Sequence, residues 1–215
     1  MVWPPVVPPL SWLEPPAGPE PPLVERAEPA DAWALAELAA ATFPLACPPE
    51  TEPEEIAYHI AQQFHPTRVA GWLTDPLVVV HVGRTATGLA GYSRLSFDPA
   101  EVEPAIWPQL TLRPTCQLSK CYVRPEWQGT GLADQLMAAA VTAGRERSAR
   151  GAWLGVHPTN LRARSFYGRQ GFRDVGWRHF EVGGRLFTDC LMERPLAEPL
   201  IVRRPGPSHR PGPEV

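Results

Sequence analysis

Two stretches of this chain carry residue types at spacings that can do chemistry. The first is Cys121-Tyr122-Val123-Arg124-Pro125-Glu126-Trp127-Gln128-Gly129-Thr130-Gly131-Leu132-Ala133-Asp134-Gln135-Leu136. A short apolar strand runs into a glycine turn that at once becomes a helix. Leu132, Leu136, Ala140 and Ala143 recur at the spacing of one buried helix face, with Met137 and Val141 beside them. The first turn of such a helix leaves backbone N–H groups without intrahelical acceptors, and its aligned dipoles make that end partly positive, so the turn favours an anion. Gly129 and Gly131 let a ligand come close to the backbone. The turn lacks the Lys-Ser/Thr ending of a nucleotide P-loop and the Gly-x-Gly-x-x-Gly pattern of a dinucleotide fold. A pyrophosphate remains open and ATP and NAD do not lead, while a strand-to-helix turn with no ligand explains the piece taken alone.

The second stretch begins with a short buried strand, Ala152-Trp153-Leu154-Gly155-Val156. His157-Pro158-Thr159-Asn160 follows, then a helical run from Leu161 that contains Ala163, Phe166 and Tyr167 and ends near Gly171-Phe172. Asn160 is a natural N-cap, and Gly171 is placed to end the helix in the left-handed conformation.

Gln128-x-x-Gly131-x-Ala133 resembles the Gln/Arg-x-x-Gly-x-Gly/Ala signature of the GNAT superfamily of N-acetyltransferases. The second stretch is similar to that family's strand, Asn-x-x-Ala, Phe-Tyr and Gly-Phe series at the same distance downstream. The resemblance covers residues 23–195. It implies an α/β protein of mixed α+β type, with a central twisted mixed β-sheet flanked by helices on both faces. It also implies acetyl-CoA as cosubstrate, with its pyrophosphate on Gln128, Gly129, Thr130, Gly131, Leu132 and Ala133.

The strand before the turn adds a detail. Cys116 and Leu118 alternate on one face, but Cys121 and Val123 continue on the opposite parity. A slip of this kind is what a β-bulge does to a sequence, and ordinary irregularity in a strand buried on both sides leaves the same pattern. The family has a bulge here that splays two strands. Carried over, Cys121 and Val123 hydrogen-bond the pantetheine arm through their backbones, and Asn160 holds it with its side chain.

Acetyl transfer needs a neutral amine, although a free alkylamine titrates near about 10. It also needs a polarised thioester carbonyl and a proton for the departing thiolate. By resemblance that donor is Tyr167; the alternative is a helix tyrosine packed under the sheet. No motif marks the base among Glu126, Tyr92, His81, His157 and Asp189. Lys120 can meet a phosphate or face water, and one of Arg145, Arg162, Arg164 and Arg169 can pair with the 3′-phosphate. The segment from Trp153 through Thr188-Asp189 looks like the bacterial spermine/spermidine acetyltransferase branch, which implies a polyamine or other small primary amine as acceptor. The rival reading is a non-catalytic acyl-CoA-binding module or scaffold.

These groups must be positioned by what 215 residues can build, which is one domain with a sizeable core. Nine of the 28 prolines fall between Pro4 and Pro22 and six between Pro195 and Pro213, so residues 1–22 and 196–215 read as disordered Pro-rich tails around the domain. Net charge −3 argues against a nucleic-acid-coating role. No segment approaches the roughly 20 apolar residues of a membrane helix. Prolines break the first apolar stretch, unlike a signal peptide, and the expected location is cytoplasmic. Cys47, Cys116, Cys121 and Cys190 lack metal-ligand spacing and read as free thiols, so no metal is expected. A homodimer is compatible with this reading.

Strands are expected at 23–27, 77–82, 89–97, 116–123 and 152–156, and a hairpin at 177–182 and 186–192 around Gly183-Gly184. Helices are expected after Asp31, which caps one through Ala41, and from Pro53, with Ile56, Ile60 and Phe64 on one face. Residues 99–114 read as a loop.

Overall fold

Val78, Val80 and Val82 point to one side of their strand and Val79 to the other, and both sides are buried, so this strand lies inside a sheet covered on both faces. The computed structural model describes residues 20–48, 51–182 and 185–196, with backbone alone at 180–182 and 185–186. Seven strands, β1 (Leu23–Arg26), β2 (Val78–Thr85), β3 (Gly88–Ser96), β4 (Thr115–Val123), β5 (Gly151–Val156), β6 (Arg173–Val182) and β7 (Arg185–Pro195), form one sheet in the order β1-β2-β3-β4-β5-β7-β6. Every pairing is antiparallel except β4 with β5.

α4 (Leu132–Glu146) and α5 (Leu161–Arg169) cover one face over Leu95, Cys116, Leu118, Leu154 and Met192. α1 (Ala32–Thr42), α2 (Pro53–Gln63) and α3 (Pro66–Thr74) cover the other over Val78, Val80, Val82 and Tyr92. The segment 99–114 carries only two short 3₁₀ turns, but it is packed. Val102, Ile106 and Leu110 bury Trp153 and Leu191 on the same face as α1 to α3.

One helix was missed by the sequence reading, and two of its expectations change. The α3 helix was not foreseen, although Val69, Trp72 and Leu73 recur at helical spacing and pack on the α1–α3 face of the core. Asp31 does not cap α1 with its side chain. Its carboxylate accepts from the Glu28 amide at 2.9 Å and from Arg84 at 2.8 Å. The packed domain also runs past Pro195. Leu196 is fully buried, its amide donates to Arg150 and its carbonyl accepts from Arg145, and a Cβ on Gly144 would lie 2.5 Å from its Cδ1. The rest of both proline-rich ends, and the Gly183-Gly184 turn, lie outside the described residues.

Candidate active site

The bulge read from the sequence is present. Arg94 of β3 pairs with Lys120 while Leu95 pairs with Leu118, so Ser119 is the extra residue in β4. Beyond it, Cys121 turns to the α4/α5 face, whereas Lys120 and Tyr122 turn to the α1–α3 face. β4 and β5 pair only from Thr115 to Gln117 against Gly151 to Trp153, so a gap opens between them from Leu118 onward.

The backbone phase of β4 follows from one bond. The Arg124 amide donates to Ala90 at 2.8 Å, and in an antiparallel ladder such pairs alternate. Tyr122 therefore directs its backbone groups to β3, and Cys121 and Val123 direct theirs into the gap. The Val123 carbonyl there accepts from the Gln128 side-chain amide at 3.1 Å, which leaves the Val123 amide open.

Gly129 and Gly131 have φ of 81° and 89°, values that favour glycine, and nothing lies within 4 Å of where a Cβ would stand on either. No described group accepts a hydrogen bond from the amides of Gly129 through Asp134. These donors crown α4, whose N-cap is Gly131. The Thr130 hydroxyl is turned back to the Trp127 carbonyl at 2.8 Å, so Thr130 offers its amide to the site. Leu132 is buried against Ala90, Val123 and Leu136, and Ala133 packs beside them.

Asn160 caps α5: its side-chain oxygen accepts from the Ala163 amide at 3.0 Å, and Gly171 ends the helical segment at φ 84°. The helix carries Tyr167 to the α4/α5 wall of the gap, with ring contacts to Phe166 at 5.4 Å and Phe172 at 5.8 Å and packing beside Cys121. Tyr167 is half-buried, and its hydroxyl bonds no described residue. Burial, reinforced by Cys121 and Tyr122, pushes its pKa well above the ordinary phenol value, so it stays protonated.

The four cysteines are free thiols. Burial raises Cys47 to about 11 and Cys116 and Cys121 to about 12, and it raises Cys190 as well. None is a thiolate near neutral pH. Among the described residues no three His, Cys, Asp or Glu side chains gather to hold a metal, and no helix is long and apolar enough to cross a membrane.

Of the arginines, Arg145 is held by the Leu196 carbonyl, Arg164 by Asp174 and Arg169 by Ser165. Arg162 alone meets the glycine turn, donating to Gln128 Oε1 at 2.5 Å. Of the candidate bases, Glu126 is exposed, Tyr92 is fully buried with an unpartnered hydroxyl, and His81 sits on β2 near Arg26 and Glu146. His157 bonds Thr159 at 2.8 Å. Asp189 is buried and receives two hydrogen bonds from Arg178, at 2.8 and 3.1 Å. A Cβ on Gly155 would stand 2.5 Å from Arg178 Nε and 2.8 Å from the carboxylate, so glycine there makes room for the pair.

The sequence reading missed the surroundings of Lys120. Its ammonium lies 5.4 Å from the Phe64 ring centre and 6.0 Å from that of Trp72. The parity slip between Leu118 and Cys121 was the available signal, because it assigns Lys120 to the face opposite Cys121.

A splayed parallel pair after a β-bulge, with a glycine turn of open amides at its mouth, is the arrangement that the resemblance to the GNAT superfamily implies. Residues 32–172 match the model of the acetyltransferase (GNAT) family, and the chain belongs to that family. An uncharacterized N-acetyltransferase of Mycobacterium tuberculosis is 37% identical over 167 residues, which span 77% of this chain and 98% of that protein. Another uncharacterized N-acetyltransferase, from Lactobacillus delbrueckii subsp. lactis, is 27% identical over 150 residues, 68% of this chain and 82% of that one. The fold is also that of the PaiA N-acetyltransferase of Thermoplasma acidophilum in complex with coenzyme A, with TM-score 0.64 and 16% identity over 80% of this chain and 98% of the other.

Proposed function

We propose that the protein moves an acetyl group from acetyl-CoA to a small primary amine by direct attack in a ternary complex. The observation that carries this reading is the gap between β4 and β5, with open amides at its mouth and Tyr167 on its wall. The residues present suit the cosubstrate: the amides of Gly129 to Ala133 offer donors to a pyrophosphate, Arg162 offers a fork to a phosphate, and the backbones of Cys121 and Val123 offer strand-type bonds to a pantetheine amide. Asn160 spends its oxygen on the helix cap, so it contributes to the arm through its amide group.

Tyr167 approaches from the α4/α5 face, where it donates its proton to the leaving sulfur; the acceptor enters from the α1–α3 face, beside Lys120 and Tyr122. Direct attack is favoured over an acyl-enzyme because every cysteine thiol is pushed up in pKa, and a nucleophilic cysteine needs the opposite shift. The amine's own proton passes to solvent. We place the protein in the cytoplasm, where free thiols persist. A polyamine acceptor calls for carboxylates open to a polycation, and among the described residues Glu101 and Asp189, the acids nearest Lys120 and Gly155, are held by Arg94 and Arg178. The proposed acceptor is therefore left at a small primary amine.

Thiol release from acetyl-CoA across a panel of small amines, with the product identified by mass, tests this reading. Amine-dependent thiol release with an acetylated product is expected. Acetyl-CoA binding with no turnover on any amine would favour the non-catalytic module.

A further inference from the structure

The acceptor side of the gap is built from cations. Arg94 and Lys120 stand opposite each other in the β3–β4 register, an arrangement of like charges that is ordinarily unfavourable. Arg94 resolves its half by donating to Glu101 at 2.8 Å and to Ser119 at 2.9 Å, with its guanidinium 5.3 Å from the Trp72 ring centre. Lys120 does not resolve its half. It forms no hydrogen bond or ion pair with a described residue, and its half-buried side chain sets the ammonium beside two aromatic rings.

Arg178 and Arg68 add further positive charge around Lys120, and among the described residues the Glu101 carboxylate acts against them. That carboxylate is already bound by Arg94, as Asp189 is by Arg178. Lys120 is also the sole lysine of the chain. Burial, then Arg94 and Arg178, lowers its pKa to about 8, so at neutral pH it remains a cation held at a cost. Among the described residues, the side chains set around it offer no further anion to relieve that cost.

We infer that Lys120 recognises an anionic group on the acceptor, so that the substrate is an amine that itself carries a carboxylate or phosphate rather than a polycation. This rests on the proposed acetyl transfer and deepens it. The placement is consistent with the chemistry: Lys120 lies at the bulge that opens the gap, on the face opposite Tyr167, so an acceptor anchored there can direct its amine into the gap. Phe64 and Trp72 supply apolar walls for the acceptor's carbon skeleton and reduce screening of the charge pair.

The test compares matched amines with the full chain and acetyl-CoA: lysine against cadaverine, ornithine against putrescine, phosphoethanolamine against ethanolamine. The parent is expected to favour the anionic member of at least one pair by roughly tenfold or more in kcat/KM, the size of one charge-assisted hydrogen bond; which pair responds tells carboxylate from phosphate. Lys120→Gln should erase that preference and Lys120→Arg should keep part of it, while both retain the thermal shift with acetyl-CoA. Equal or better turnover of the cations would overturn the inference, as would a Lys120→Gln variant that loses both members of a pair equally. A parent that binds acetyl-CoA but acetylates no member overturns it together with the acceptor half of the proposed function. A parent that does not bind acetyl-CoA overturns the acetyl-transfer reading itself.

Discussion

Gln128 accepts a 2.5 Å hydrogen bond from Arg162, and that bond joins the glycine turn at the head of α4 to the first turn of α5. It is the link that brings a guanidinium to the open amides, and it follows from Gln128 being anchored on the other side to the Val123 carbonyl. Arg162→Ala should weaken acetyl-CoA binding by roughly tenfold or more, the usual worth of a hydrogen bond to a charged partner. Arg169→Ala, whose guanidinium is turned to Ser165, should leave it nearly unchanged. Titration calorimetry on the two variants checks the contrast.

Tyr167→Phe removes only a hydroxyl that bonds no described residue. If that hydroxyl protonates the leaving sulfur, kcat should fall by roughly 10²-fold or more while acetyl-CoA affinity stays near the parent's. The ring contacts with Phe166 and Phe172 survive the change. Undiminished kcat, measured where chemistry limits the rate, would return Tyr167 to a packing role.

The pH dependence of acceptor binding should follow Lys120. Its cation is present below about 8 and lost above, so KM for an anionic acceptor should rise as pH passes that value and Lys120→Arg should move the rise to higher pH. Arg94 on β3, Arg178 on β6, Arg68 on α3 and Glu101 after β3 face the same group. His59 on α2, lowered to about 4 by burial and then by Lys120 and Arg68, stays neutral throughout. Stability runs the other way. The unfolded chain binds more protons between about 8 and 10.5, so the lysine's contribution to stability improves with rising pH in that window. Lys120→Met should therefore raise Tm most below pH 8.

Leu196 links the chain after the last strand to the core. It is fully buried against the cluster that includes Met192 and Ala143, so Leu196→Ala should cost about 2–5 kcal/mol. Urea denaturation reads this directly.

What was legible in the sequence was local. The glycine turn, the Asn160 cap, the Gly171 stop and the bulge at Ser119 each depend on residues within a few positions of one another, and the structure contains all four. The proposed acceptor side was not legible, because Lys120 owes its surroundings to Phe64 at the end of α2 and Trp72 on α3, far back in the chain, and the Arg178–Asp189 pair needs the space above Gly155. Asp31 misled for the same reason. Its type and position predict a cap, but Arg84, 53 residues away, claims the carboxylate.

Acetyl-CoA is proposed to bind at the glycine turn and the gap behind it. Gly131 has φ 89° and open space before it, so Gly131→Val places a strained, bulky side chain where the phosphates are proposed to lie, with no core neighbour to disturb. The measurement is the shift in Tm on adding acetyl-CoA to parent and variant, since a ligand that binds only the folded state raises Tm. A clear rise is expected for the parent and none for a variant that is still folded. An equal rise in both would place the cosubstrate elsewhere.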